Sequence, residues 1–346
     1  MKSTSSSIFY IDLLRTMAAF AVVSIHVLGP FRYLYGDIPE SDWLAAMGIN
    51  SVTRWAVPVF VMISGALLLS SQRPFNCEVY LSKRISKVVI PFVAWTLIYA
   101  FIAGFMVDDL FTGIWSSEIT WSMIAASPND PTWYHLWFFY DFIPLYFLIP
   151  LLQPILKKLP EELYKFIVVI FLLLFLMKWL KVESFLQENL ILYTGYLLLG
   201  HYLFSHDNSQ TRKYWLIAGV AMLLLNFFGS WQLTIDTGEY SSFYMGYKTL
   251  NTAVIGAMIF VYAQHYGDKI EGKLRALISL IAKYSLGIYL LHPILLIPVR
   301  HLDNGFYQFF HSNWLAIPLL TIVILFISLL CTMLLAKIPV VKHLLP

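Results

Sequence analysis

Charge is scarce in this sequence. Asp, Glu, Lys and Arg together make up 12% of its 346 residues, 59% are hydrophobic, and mean hydropathy is +0.71. That balance excludes an ordinary water-soluble globular fold. Cysteine is nearly absent: Cys77 in a polar loop and Cys331 inside a late apolar run match neither a metal spacing nor a disulfide framework, and read as free thiols. There is no H-E-x-x-H, no G-x-S-x-G, no P-loop and no glycine fingerprint for a dinucleotide, so zinc hydrolysis, nucleotide hydrolysis and hydride transfer lose their sequence grounds. The net charge of +3 is spread over short clusters and offers no nucleic-acid surface. Fixed-period repeats are missing, and neither end carries a block polar enough for a soluble catalytic domain, so residues 1–346 read as a single integral-membrane domain.

What the sequence does contain is a series of apolar runs. A hydrocarbon core about 30 Å thick takes roughly 20 helical residues, and ten stretches approach that length: 8–29, 50–70, 85–107, 134–155, 164–180, 190–205, 214–231, 247–266, 277–300 and 314–336. Backbone hydrogen bonds left unmade in lipid force such runs into helices. The expected fold is therefore all-α, a polytopic bundle of about ten spans. The first run holds Asp12, Arg15 and His26 and lacks a small-residue cleavage site, so it reads as a retained span rather than a signal peptide.

Cationic loops set the orientation. With a cytoplasmic N-terminus, sixteen of the 23 Lys and Arg fall on the inner side, from Lys2 to Lys342. Only Arg32, Arg54, Lys178, Lys181, Lys248 and Arg300 fall outside, and Arg15 lies within the first span. Asp108, Asp109, Glu118 and Asp130 place the 108–133 loop outside, and both termini are expected in the cytoplasm.

Ionisable residues inside a span are costly and mark function by default. Arg15 and His26 are eleven residues apart, which is about three helical turns and a rise of about 16 Å, so both lie on one face, Arg15 near the cytoplasm and His26 toward the outer side. Asp12 precedes Arg15 by three residues and is placed to pair with it. A purely structural reading makes Asp12 and Arg15 an interfacial ion pair and His26 a helix-to-helix hydrogen bond. Two further histidines weigh against it. His135, in Trp133-Tyr134-His135-Leu136-Trp137-Phe138-Phe139-Tyr140, and His292, in Ser285-Leu-Gly-Ile-Tyr289-Leu-Leu-His292-Pro293, reach the depth of His26, with Arg54 at the outer entrance of the second span. Trp133 and Trp137 also suit an interfacial aromatic belt. Guanidinium suits a phosphate and imidazole a proton, so a long anionic donor entering from the cytosol fits this layout.

These stretches, with Pro58-Val-Phe-Val-Met-Ile-Ser64-Gly65-Ala-Leu-Leu and the Arg15-to-His26 spacing within Asp12-Leu-Leu-Arg-x-x-Ala-Ala, resemble the acyltransferase 3 family of bacterial integral-membrane O-acyltransferases. The likeness covers essentially the whole chain, and it is to the stand-alone form without a fused extracytoplasmic domain. The resemblance implies a multi-pass protein of the bacterial cytoplasmic membrane that moves an acyl group, usually acetyl, from cytoplasmic acetyl-CoA to a sugar hydroxyl of a surface polysaccharide or its precursor. It implies Arg15 as the contact to coenzyme A phosphate, supported by Asp12, and His26 as the catalytic imidazole. Ser64 is expected beside the donor; Arg54, Trp137, Ser285, Tyr289 and His292 are expected as pocket walls toward the acceptor.

On that reading the partners are acyl-CoA, a glycan acceptor and membrane lipid, with self-association or polysaccharide-assembly proteins in addition; neither a metal nor a nucleic acid is expected. His26 acts as general base or as a transient acyl carrier, the sequence favouring neither. His135 or Arg54 is placed to stabilise an oxyanion, worth about 3 kcal/mol. A transporter of a glycan precursor or organic anion is the alternative from another class, and it lacks the inverted repeats and paired broken helices expected of one.

Overall fold

The computed structural model describes residues 8–107, 110–301 and 310–345. Among them helix dominates, and the one sheet is a short hairpin of two-residue strands, β1 (Met106–Val107) and β2 (Leu110–Phe111). Fourteen α-helices follow in order: α1 (Phe9–Val27), α2 (Glu40–Thr53), α3 (Ala56–Leu69), α4 (Cys77–Arg84), α5 (Ile90–Ala103), α6 (Ser117–Ala126), α7 (Trp137–Leu156), α8 (Glu161–Trp179), α9 (Asn189–Ser205), α10 (Arg212–Thr237), α11 (Leu250–Tyr266), α12 (Gly272–Lys283), α13 (Ser285–His301) and α14 (Asn313–Leu335). Lys2, Asp108 and Asp109, used above to orient the chain, lie outside the described residues.

Each of the ten apolar stretches is helical over most of its length. Six helical runs are long and apolar enough to cross a membrane: Phe9–Val27, Glu40–Leu69, Cys77–Ala103, Trp137–Leu156, Arg212–Thr237 and Asn313–Leu335. The bent pair α12 and α13 is a seventh if its two arms are counted as one span. The protein is thus a multi-pass membrane helical bundle. Its surface pattern says the same: α10 buries Gly219, Asn226, Ser230 and Thr234 while exposing Ile217, Val220, Leu224 and Phe228. Apolar atoms facing out and polar atoms facing in is the reverse of a soluble helix and suits lipid as solvent. The buried Asn226 amide meets that of Asn251 on α11, 2.5 Å away.

Two boundaries differ from the sequence reading. The stretch 277–300 is not one straight helix; it breaks at Tyr284, and the two arms are bent by 73°. Lys273, Arg275 and Lys283 give α12 a cationic face opposite Ile278, Ile281 and Ala282, a division that suits a helix at a membrane surface. At the other end of the chain, α2 continues through Arg54 and Trp55 into α3, so the second apolar run begins well before residue 50.

Close backbone contact holds the centre. A Cβ on Gly65 would sit 2.0 Å from the Leu197 carbonyl oxygen, and one on Gly200 would sit 2.1 Å from the Met62 carbonyl oxygen. Glycine on each side of the α3–α9 crossing lets the two backbones touch, the small-residue contact that membrane helices use in place of a hydrophobic driving force. The crossing fixes α3, and with it Ser64, against α1 and α9. Replacing Gly200 by Val is expected to cost at least about 2 kcal/mol through overpacking against backbone; loss of a monodisperse peak and a lowered unfolding temperature in detergent would register it, and an unchanged melting curve would contradict this account of the crossing.

Candidate functional site

The helix α1 carries Asp12 and Arg15 at one end and His26 at the other, on a shared face. At the first end the Arg15 guanidinium lies 3.8 Å from an Asp12 carboxylate oxygen, while Ser279 Oγ–H donates to the other Asp12 oxygen at 3.1 Å. Thr16 Oγ1 donates to the Ile278 carbonyl at 2.9 Å, so α12 clips this end of α1 in place. Arg15 projects into a cavity of about 180 Å³ walled mainly by Phe60, Phe138, Phe139, Phe142 and Leu286, with Ser64, Ser285, Tyr146 and Tyr289 as its polar groups. Ser64 Oγ donates to the Phe60 carbonyl at 3.2 Å, leaving its lone pairs toward the cavity.

Beside it opens a larger cavity of about 770 Å³, lined by Gln72, Arg73, Phe75, Tyr80, Lys83 and Arg84 among others. Arg84 stands at the boundary between the two, its guanidinium 5.1 Å from the ring of Tyr146 and 5.2 Å from that of Tyr80. Tyr80 Oη–H donates to the Tyr146 carbonyl at 2.8 Å. Five residues of π-helix, Ile85–Val89, follow α4 and turn Val88 into the Arg15 cavity just ahead of Pro91, which lacks an N–H for a regular turn.

At the other end of α1 the three histidines meet. His26 Nδ1 lies 2.5 Å from His292 Nε2, with the ring planes only 6° apart and the centroids 4.9 Å apart. The centroid separation exceeds the nitrogen separation by about two ring radii, so the imidazoles lie edge to edge in one plane, joined by a hydrogen bond. His292 Nδ1–H donates to the Ile288 carbonyl at 2.9 Å. Pro293 has no N–H for the Tyr289 carbonyl one turn back, which loosens the turn across which His292 makes this bond. Neutral His292 therefore presents a bare Nε2, His26 must carry its proton on Nδ1, and His26 Nε2 is left as a free basic nitrogen. The order of donors is set by one backbone carbonyl.

His135 sits in the turn before α7, 1% exposed, its ring 6.4 Å from His26 and 5.9 Å from His292. Neither of its ring nitrogens has a hydrogen-bond partner, an expensive vacancy for a buried imidazole. Tyr99 packs on it edge-on at 4.9 Å, and Tyr289 Oη–H donates to its backbone carbonyl. Tyr289 thus touches both the Arg15 cavity and the histidine cluster, which does not itself line that cavity.

The structure brings Arg15, Ser64, Ser285 and Tyr289 to one cavity and His26, His135 and His292 to one cluster. Arg54 and Trp137 form a third group: Arg54 Nη1 donates to Tyr247 Oη at 2.7 Å, and the Trp137 ring stacks on Tyr247 at 5.5 Å. Three contributors escaped the sequence reading. Arg84 passed for one cytoplasmic charge among many, and Arg300 for one outer charge, although its Nη2 donates to the His26 carbonyl at 2.9 Å. Tyr134, quoted only within a motif, is edge-on to His26 at 5.0 Å and under Arg300 at 5.1 Å. A cation inside the apolar end of α13 was the signal available for Arg300. Among the described residues no group of three or more His, Cys, Asp or Glu is arranged to hold a metal ion, and here His26 Nδ1 and His292 Nε2 are turned on each other.

A family model described as an acyltransferase domain, Acyl_transf_3, matches residues 8–333. No curated protein and no solved structure matches the chain.

The tautomer assignment has a direct check. In ¹⁵N spectra of histidine-labelled protein, His26 and His292 are both expected as Nδ1–H neutral forms, and His292→Ala is expected to move His26 toward the Nε2–H form; a His26 signal indifferent to that substitution would break the proposed chain.

Proposed function

The chain belongs to this acyltransferase family, and from that premise we propose that it carries an acetyl group from cytoplasmic acetyl-CoA to a sugar hydroxyl of a surface polysaccharide or its precursor. In this reading the protein lies in a bacterial inner membrane with ten spans, both termini and the Arg15 end in the cytoplasm, and the histidine cluster toward the outside. The observation that carries the proposal is the juxtaposition of two cavities and the histidine cluster. Arg84, on the wall of a wide cationic cavity with Arg73 and Lys83, packs on Tyr146 of the narrow apolar cavity at Arg15, and Tyr289 of that cavity touches the histidine cluster.

Each part suits one portion of the donor. The wide cavity has the charge for phosphates and, in Tyr80 and Phe75, aromatic faces for a purine; guanidinium and ammonium groups bind phosphate oxygens by charge-assisted hydrogen bonds. The Arg15 cavity is narrow and mostly apolar, as an extended pantetheine arm requires. Beyond Tyr289 the thioester would meet His26 Nε2. The acceptor hydroxyl attacks the thioester carbon, His26 Nε2 takes its proton, and the carbon–sulfur bond breaks to release coenzyme A, whose sulfur is then protonated. His292 holds the tautomer that leaves Nε2 free, so it works through His26. The partnerless N–H of His135 is positioned to meet the oxyanion, a contribution of about 3 kcal/mol for a single well-placed donor.

The prediction concerns the donor. Purified wild-type protein is expected to bind acetyl-CoA; Arg15→Ala and Arg84→Gln are each expected to weaken that binding about tenfold or more, as loss of a charged hydrogen bond implies. His26→Ala is expected to bind normally yet neither transfer nor hydrolyse the acetyl group. Isothermal titration with acetyl-CoA and release of free thiol measure the two steps. Tight binding without thiol release by wild type in the presence of acceptor would favour a carrier over an enzyme.

A further inference from the structure

Arg300 and Arg32 stand near the histidine end of α1 and Arg54 lies beside Tyr247, and among the described residues none of the three is paired with a carboxylate. Arg32, Arg54 and Arg300 take no part in the ion pairs found among the described residues, which join Arg15 to Asp12, Lys165 to Glu161 and Glu162, and His206 to Glu161. Each guanidinium instead lies over a tyrosine: Arg32 over Tyr33 at 4.8 Å, Arg54 over Tyr247 at 4.5 Å and Arg300 over Tyr134 at 5.1 Å. Each also keeps buried N–H groups without an acceptor: Nε and Nη1 of Arg32, Nε of Arg54 and Nε of Arg300. Asp42, one of two carboxylates in the first turn of α2, is engaged by the Asn313 backbone N–H at 2.7 Å.

The three are not scattered. Arg300 Nη2 donates to the His26 carbonyl at 2.9 Å, Tyr33 beneath Arg32 packs edge-on to Tyr240 at 5.4 Å, and the Tyr240 hydroxyl accepts from Nδ2 of Asn50, one helical turn before Arg54, at 2.9 Å. Three positive charges held close by aromatic faces and backbone, with donors left open, are unstable against one another until an anion arrives. Their aromatic supports are also the surfaces on which pyranose rings stack. Arginine forks over tyrosine rings therefore specify a ligand with two features, a sugar face and a negative charge.

Resting on the acetyl-transfer reading, we infer that the acceptor is an anionic glycan: a carboxylate or phosphate close to the acetylated hydroxyl is clamped by Arg32, Arg54 and Arg300 and so brings that hydroxyl to His26. Two sources share this chemistry, a uronate in the glycan and the diphosphate of a lipid-linked precursor. The clamp would give selectivity at the acceptor step without touching the donor.

The experiment measures binding of paired probes to detergent-purified protein saturated with coenzyme A, which occupies the donor site and removes it as a competing anion site. One pair is oligoglucuronate and its carboxyl-reduced form; the other is an undecaprenyl-diphosphate-linked sugar and the same sugar on undecaprenyl alcohol. At least one charged probe is expected to bind ten times or more tightly than its neutral twin, and which pair responds identifies the source of the anion. Arg32→Gln and Arg54→Gln are each expected to remove most of that difference, Arg54→Lys to restore part of it, and coenzyme A affinity to stay unchanged, which also reports that the variants fold. If both pairs bind without regard to charge, or the arginine variants keep the preference, the anionic acceptor is overturned while the donor reading stands. Failure of wild type to bind coenzyme A would instead remove the donor reading and, with it, this one.

Discussion

The hydrogen bond from His292 Nδ1–H to the Ile288 carbonyl determines the chemistry available at this site. It fixes one tautomer of His292, the 2.5 Å contact passes that choice to His26, and the result is a basic nitrogen at the far end of α1 from Arg15. Much of the surrounding architecture serves to keep this arrangement in register. Pro293 loosens the turn, Arg300 holds the His26 carbonyl from the same helix, and the break at Tyr284 frees α13 to take its own direction while α12 pins Asp12 and Thr16. A helix running straight from 277 to 300 would tie the histidine's position to the cationic segment at the membrane surface; the bend separates the two.

A second constraint is lipid itself. With no water to satisfy polar groups, each one inside the bundle needs a protein partner or a ligand. Most have one: the Asn226–Asn251 pair, and the backbone carbonyls that take Thr321, Ser328 and Thr332 hydroxyls along α14. Among the groups left over, His135 and the guanidiniums of Arg32, Arg54, Arg84 and Arg300 keep partnerless buried nitrogens, as do the indoles of Trp133, Trp179 and Trp231; of these, His135 lies in the histidine cluster and Arg84 beside the Arg15 cavity. Apolar packing at the α3–α9 crossing, with its Gly65 and Gly200 contacts, provides rigidity and little chemistry.

The sequence made the helices and the axis of the site legible, for plain reasons. Long apolar runs in a chain this hydrophobic have one solution in lipid, and helical periodicity puts Arg15 and His26 on one face whatever surrounds them. The common depth of His26, His135 and His292 followed from counting residues; their meeting in the plane did not, because lateral packing depends on contacts between distant helices such as α1 and α13. Arg54 and Trp137 were expected as acceptor walls, and the structure places them with Tyr247, apart from the histidines. The break at Tyr284 was hidden because the short polar interruption at Lys283 and Ser285 lies between two apolar stretches that read as one run, and Arg84 and Arg300 by serving equally well as topological charges. Tautomers are invisible to sequence altogether, since they depend on which carbonyl an imidazole faces.

The central claim is that the acyl group is delivered along α1 to His26 Nε2. A structure of the complex with a non-hydrolysable thioether analogue of acetyl-CoA tests it most directly. The account predicts nucleotide phosphates among Arg73, Lys83 and Arg84, the pantetheine arm beside Arg15, and the acyl carbonyl past a displaced Tyr289, within hydrogen-bonding reach of the space between His26 Nε2 and His135. An analogue whose acyl end stops on the Arg15 side of an unmoved Tyr289, or lies outside this path, would contradict it.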